Sequence, residues 1–162
     1  MSTKSSNDPV RWLDPDEERV WRAYRRMVTA VQARTARDLA ELGLSEPDYE
    51  VLSTLSERTD GTATLREQAA KMEWSRSRLS RHATRMETRG LIRRAPDPAD
   101  GRGCLLILTE NGLDTLRQAA PAHVASVRRH FIDLLDPREL AELGHIATKF
   151  PQAPSPRRPQ PD

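Results

Sequence analysis

The stretch Ser75-Arg76-Ser77-Arg78-Leu79-Ser80-Arg81-His82-Ala83-Thr84-Arg85-Met86-Glu87-Thr88-Arg89-Gly90-Leu91-Ile92-Arg93-Arg94 holds seven arginines and a single acid, Glu87. Its local charge is +6, in a chain of 162 residues whose formal net charge is +2. The remainder is mildly acidic, so positive charge is concentrated in one short block, as a polyanion-binding surface requires. Arginine outnumbers lysine throughout the chain, which GC-rich codon usage explains; the clustering is what carries information. On a helical wheel of about 100° per residue, Leu79, Ala83 and Met86 line one side. Ser77, Arg81, Thr84 and Thr88 lie nearly opposite, Arg78 and Arg85 flank one edge, and Ser80 flanks the other. Arg76 falls nearer the apolar side and reaches the same surface only because it lies in the first turn. A solvated surface helix ordinarily mixes signs, with Glu paired to a base one turn away. Here Ala83 and Thr84 precede Glu87, so that carboxylate has no basic partner within the helix. An outward face of Arg, Ser and Thr fits the major groove of double-stranded DNA, where guanidinium forks read guanine edges.

Working outward, Ser75 is the N-cap of this basic helix and Gly90 its stop. Upstream, Thr64-Leu65-Arg66-Glu67 is a capping box opening a short helix over about 65–72, with Leu65, Ala69 and Met72 inward. A short helix, a tight turn and a basic helix make a helix-turn-helix. Downstream, Leu91–Arg94 reads as a short strand, Pro96–Gly103 as a loop of turn formers, and Cys104–Leu108 as a β-prone apolar run. Two strands around such a loop make a hairpin, and the hairpin makes the whole a winged helix. Arg102 stands at the tip of Asp100-Gly101-Arg102-Gly103, suited to a narrow minor groove. Asp100 is placed to hold its guanidinium or the loop. An ordinary turn with an exposed arginine is the alternative reading.

The expected fold is therefore mainly α with a small β-hairpin wing. A winged helix-turn-helix lobe, 46–108, is flanked by helical regions at 14–45 and 109–150. Asp14-Pro15-Asp16-Glu17 opens a helix over about 15–42, with Val20, Tyr24, Met27, Val31, Leu39 and Leu42 at helical spacing. Ser45-Glu46-Pro47-Asp48 opens a second over about 46–58, burying Tyr49, Leu52 and Leu55. A long helix is expected over about 110–135, kinked or split at Pro121. Asp136-Pro137-Arg138-Glu139 opens the last, about 137–149, burying Leu140, Leu143 and Ile146. A helix of about 26 residues spans about 39 Å, more than a small winged-helix core covers. A second copy is the simplest partner for its apolar stripe; an intramolecular three-helix bundle is the alternative. Two-fold symmetry implies a near-palindromic site with half-sites about 34–36 Å apart. Residues 1–13, mostly polar, read as a disordered arm, and residues 151–162, with five prolines, as a disordered tail.

Several classes are disfavoured. Mean hydropathy is −0.72, and no apolar run approaches the eighteen or so residues of a membrane span. Met1–Pro9 has no apolar core of a secretory signal, so a cytoplasmic location is expected. No Gly-rich phosphate loop, nucleophile elbow or HExxH occurs; neither enzyme activity nor a cofactor is expected. His123 and His130 are two turns apart on one helix, too far to share an ion directly, so no metal site is expected. The single cysteine, Cys104, reads as a small buried hydrophobe; the alternative is an oxidant sensor whose thiol is activated by Arg102.

Ser75–His82, then Met86–Arg94, Asp100–Gly103 and Leu108-Thr109-Glu110-Asn111-Gly112 together resemble the multiple-antibiotic-resistance regulator (MarR) family. The resemblance covers roughly residues 15–150, and Asp-x-Arg-Gly is its most specific mark. It implies a homodimeric winged-helix repressor or activator of transcription. Ser75, Arg76, Ser77, Arg78, Ser80, Arg81, Thr84 and Arg85 would be the recognition-helix contacts, and Asp100 and Arg102 the wing contacts. The first helix and the last two would form the dimerisation region. It implies as well a pocket for a small aromatic effector between the dimer helices and the DNA lobe. Trp21, Tyr24, Arg25 and Tyr49 are its candidates, with core and interface packing as the alternative. The expectation is thus a sequence-specific double-stranded DNA-binding regulator, a ligand-responsive repressor bound as a homodimer. The competing class is a winged-helix protein-interaction module, which has no need of a +6 block.

Overall fold

Four capping boxes start four of the six helices among the described residues, 10–150, of the computed structural model. Each box satisfies two N–H groups that a helix start leaves orphaned. In order the elements are α1 (Pro15–Glu41), α2 (Glu46–Ser56), β1 (Thr62–Thr64), α3 (Leu65–Lys71), α4 (Arg76–Thr88), β2 (Ile92–Asp97), β3 (Asp100–Leu108), α5 (Glu110–His130), a 3₁₀ turn (Ile132–Leu134) and α6 (Pro137–Ala147). The expected arm at 1–13 lies mostly outside the described residues, and the expected tail at 151–162 wholly so.

Val51, Leu52 and Leu55 of α2, Leu79, Ala83 and Met86 of α4, Ile92 of β2 and Leu106 of β3 are all essentially inaccessible to solvent. Leu116 and Ala119 of α5, Leu39 of α1 and Ala69 of α3 join the same core, with Leu44, Ala63, Met72 and Leu91. Each large apolar side chain so buried contributes roughly 1.5–3 kcal/mol. The helix-turn-helix therefore rests on α2 and the sheet, and α4 turns its opposite face outward. The α3–α4 turn is closed by Glu73 at φ +54°, with the Trp74 N–H donating to the Ala69 carbonyl at 2.9 Å. Gly90, at φ +70°, ends α4 the same way: the Leu91 N–H donates to the Met86 carbonyl at 3.0 Å and the chain turns into β2.

Three expectations need correction. The sheet has three antiparallel strands in the order β1-β3-β2, not two, because Thr62–Thr64 pairs with β3 (Ala63 opposite Leu106). The wing strands run further into the Pro/Gly segment than expected, leaving only Pro98-Ala99 between them. The long helix runs unbroken through Pro121, whose position is solvent-exposed, and ends at His130 rather than 135. There Phe131 leaves helical geometry at φ −144°, ψ −65°.

Candidate nucleic-acid interface

The seven arginines of the basic block divide by what they touch; Arg93, on β2, is exposed and enters no ion pair among the described residues. Arg89 Nη1 donates to Asp48 Oδ2 at 2.9 Å, and its Nη2 to the Gly43 carbonyl, fastening the end of α4 to the α1–α2 corner. Arg94 Nε donates to Glu87 Oε2 at 2.8 Å, and the Arg94 backbone N–H to Oε1 at 3.0 Å. Those bonds, the backbone one foremost, lower the Glu87 carboxyl below its usual range. The carboxylate without a partner inside its helix thus finds one on β2. Arg76, Arg78, Arg81 and Arg85 are exposed and enter no ion pair among the described residues. Ser75 and Ser77 are exposed beside them, as are Thr84 and Thr88, and Ser80 is half-buried at the edge. The Ser75 hydroxyl accepts the Arg78 N–H at 3.2 Å as the N-cap, so it is already engaged. The Thr84 and Thr88 hydroxyls donate back to the carbonyls of Ser80 and Thr84.

Two of the four unpaired guanidiniums on α4 are held by uncharged groups. Arg78 lies 3.6 Å over the Trp74 ring, a cation–π seat that restrains the fork without neutralising it. Arg85 Nη2 is 3.0 Å from His82 Nδ1. Trp74 and His82 were not among the residues singled out from sequence. His82 had a legible signal, since it falls on the wheel beside Met86 on the apolar side, where a polar side chain must find a buried partner. That partner is Asp48 of α2, 3.0 Å from His82 Nε2. Nε2 makes no hydrogen bond among the described residues, so this is a close charge contact rather than a formed bond. Burial raises the Asp48 carboxyl, but the contacts from His82, the Ser45 N–H and Arg89 outweigh it and hold the group well below the usual carboxylate range.

On the wing, Ile92 faces Leu108 and successive pairs follow to Pro96 facing Cys104; the next pair is Asp97 with Asp100. Gly101, Arg102 and Gly103 therefore bulge from β3 with no counterparts on β2, a device that re-aims side chains. Arg102 is exposed on this bulge, not at the hairpin tip. Asp100 Oδ1 accepts the Arg102 backbone N–H at 3.1 Å, so Asp100 holds the loop rather than the guanidinium. Gly103 is required here, because a Cβ would stand 2.8 Å from Asp97 Cβ. Burial pushes the Cys104 thiol up, with Arg94, not Arg102, as the opposing charge. That disfavours the thiolate an oxidant sensor needs.

The four effector candidates do not come together. Trp21 and Tyr24 stack on each other, ring centroids 5.8 Å apart, half-exposed on α1, and Arg25 is exposed nearby. Tyr49 instead lines a cleft of about 340 Å³ with Leu39, Glu46, Glu50, Lys71 and His123. Its ring centroid lies 4.1 Å from that of His123, whose buried Nδ1 has no hydrogen-bond partner among the described residues. Burial first, and then Glu46, raise the Glu50 carboxyl, which Lys71 opposes. His130 turns the other way, to Asp38 at 3.3 Å beside Arg129 at 2.9 Å, tying α5 to α1.

This geometry has counterparts in known proteins. A model of the MarR family matches residues 44–104. The chain is 34% identical over 104 residues to the transcriptional regulator HosA of Escherichia coli O111:H-, covering 62% of this chain and 73% of that protein. Among solved structures it is similar to AbsC, a MarR family transcriptional regulator from Streptomyces coelicolor. Identity is 42%, coverage 86% of this chain and 95% of that one, and the TM-score 0.82. It is similar as well to Sco3205, a MarR family transcriptional regulator of the same organism solved in complex with DNA. There identity is 36%, coverage 88% and 90%, and the TM-score 0.83.

Proposed function

The chain belongs to the MarR family of transcriptional regulators, and on that premise we propose that it binds a near-palindromic operator as a homodimer and represses transcription from it. The observation that carries this reading is the face of α4, where Arg76, Arg78, Arg81 and Arg85 stand exposed without a carboxylate partner among the described residues. Set in a major groove, Arg78, Arg81 and Arg85 read base edges while Arg76 and Ser77, in the first turn, take phosphates. Arg102, raised on the wing bulge and held by Asp100, enters the adjacent minor groove. Repression follows if the occupied site overlaps a promoter, because a dimer spanning two half-sites excludes polymerase.

The dimer rests on apolar surface that the chain leaves uncovered. Val20, Trp21 and Tyr24 of α1, Val124 of α5, Leu134, Ile146 of α6 and Phe150 are all exposed. Helix α6, expected to bury Leu140, Leu143 and Ile146, has a well-formed capping box and yet buries no residue within its own chain; Leu140 and Leu143 are half-buried and Ile146 is exposed. A helix of eleven residues is marginal in water by itself, so its apolar face calls for a second copy. Trp21, Tyr24 and Arg25 belong to this surface in the proposal, and the effector site falls to the cleft at Tyr49 and His123. Tyr49 and His123 are in contact at 4.1 Å, so a flat aromatic molecule would stack against the outer face of the pair rather than between the rings. Glu46 and Glu50 against a single Lys71 favour a neutral or cationic effector over an anionic one.

The test is binding to the DNA immediately upstream of the chain's own coding region, with competitor DNA present. Two chains per duplex and survival of competitor are expected; binding no tighter than to the competitor would refute a specific operator there. Arg102→Ala is expected to weaken this complex by ~1–2 kcal/mol with the dimer intact by gel filtration. A shift to monomer would contradict the division of labour between wing and dimer helices.

A further inference from the structure

We infer that His82, a residue inside the core, is a positioning residue for DNA recognition: Asp48 sets its imidazole and the imidazole holds Arg85. This rests on the reading of α4 as the recognition helix. His82 is 6% exposed and Asp48 3%. Asp48 is itself fully engaged. Its Oδ2 accepts from Arg89 Nη1 and the Ser45 N–H, both at 2.9 Å, and its Oδ1 faces His82 Nε2 at 3.0 Å. An arginine N–H can only donate, so Arg85 at Nδ1 needs that lone pair and places the ring proton on Nε2, which the nearby Asp48 carboxylate favours by charge without a well-formed hydrogen bond. The Nδ1 lone pair is then free to accept an N–H from Arg85, whose Nη2 lies 3.0 Å away. The edge of Trp74 closes the other side, its centroid 5.7 Å from that of His82 at 81°.

The choice of histidine has a physical reason. A carboxylate in its place would hold Arg85 more tightly and cancel its charge, which phosphates and guanine need. A neutral ring nitrogen orders the guanidinium and leaves the charge intact, so part of the ordering entropy is lost before DNA arrives. Trp74 does the same for Arg78 with its π face. The two uncharged seats together fix the spacing of two forks on one helix edge.

Two substitutions separate the nitrogens. His82→Gln keeps a donor where Nε2 meets Asp48 and removes the Nδ1 acceptor; His82→Asn keeps an acceptor near Nδ1 and gives up Asp48. Affinity is read by fluorescence anisotropy on the upstream duplex that the wild-type chain binds, with thermal melting in parallel. His82→Gln should melt close to wild type and bind about 5- to 10-fold more weakly. His82→Asn should bind within about twofold of wild type at a lower melting temperature. In an Arg85→Ala background, His82→Gln should change affinity no further. The inference is overturned if His82→Gln binds as wild type, if its loss persists without Arg85, or if the Gln and Asn variants lose affinity alike. If His82→Gln does not fold, His82→Asn decides: near-wild-type binding supports the acceptor at the Nδ1 position as what holds Arg85, and a 5-fold loss refutes it. Failure of the wild-type chain to bind any upstream duplex would sink the operator reading instead.

Discussion

A Gly112→Ala chain melts roughly 10 °C below wild type. Gly112 is buried in the first turn of α5, where a Cβ would stand 2.0 Å from the Leu91 carbonyl oxygen and 3.0 Å from its carbon. A backbone carbonyl cannot rotate aside as a flexible side chain would. Around it the contacts are dense. The Thr109 hydroxyl accepts the Gly112 N–H at 3.0 Å and donates to the Gly90 carbonyl at 2.6 Å, and Asn111 Nδ2 reaches the same carbonyl at 3.3 Å. Moving α5 away from β2 therefore loses several hydrogen bonds of about 1 kcal/mol each on top of an overpacking cost of about 1–3 kcal/mol. A loss near 3 kcal/mol in a chain this size shifts melting by about 2–4 °C per kcal/mol. Circular dichroism melts at matched concentration check the value; a shift under about 2 °C would mean that α5 and the wing are not locked together at this point.

The second large effect is expected at the uncovered apolar surface. Leu134 and Ile146 are 67% and 47% exposed in the single chain. Leu134→Asp with Ile146→Asp places two carboxylates in the proposed interface, and two-fold symmetry makes them four. Each apolar side chain removed from such a site costs roughly 1.5–3 kcal/mol, before any desolvation of charge. The double variant should run by light scattering at one chain, 18.3 kDa, and wild type at two. DNA affinity should fall on the order of 100-fold or more, since one winged helix reaches only a half-site and the gain from two linked contacts is lost. A double variant that remains a dimer would place the interface elsewhere.

Local chemistry carried the readings that held. Asp14, Ser45, Thr64 and Asp136 each begin a helix through side-chain bonds within four residues, so spacing alone reveals them. The α4 wheel was legible for the same reason: Leu79, Ala83 and Met86 are buried and Arg81 and Thr84 exposed. What escaped depends on distant partners. Thr62-Ala63-Thr64 has no strand pattern of its own and becomes β1 only because Leu105–Ile107 offers an edge. Pro121 should break a helix by its own chemistry, yet α5 passes through it, packed against α1 and α2. The fates of Arg89 and Arg94 could not be told from those of Arg81 and Arg85 by residue type. Asp48 lies 41 positions before the first and Glu87 seven before the second, and only folding brings them together. Aromatic character alone does not say which surface a side chain faces, so the sequence could not separate Trp21 and Tyr24, half-exposed on α1, from Tyr49 in the cleft.

The exposed arginines of α4 are tested most directly by titrating wild type and Arg81→Ala against the upstream duplex and a scrambled duplex across a range of salt concentrations. Wild type should lose affinity steeply as salt rises, because phosphate neutralisation releases counterions. Arg81→Ala should bind the upstream duplex ~1–3 kcal/mol more weakly and discriminate less against the scrambled one. A flat salt titration, or a variant that binds and discriminates as wild type does, would show that this face does not meet DNA.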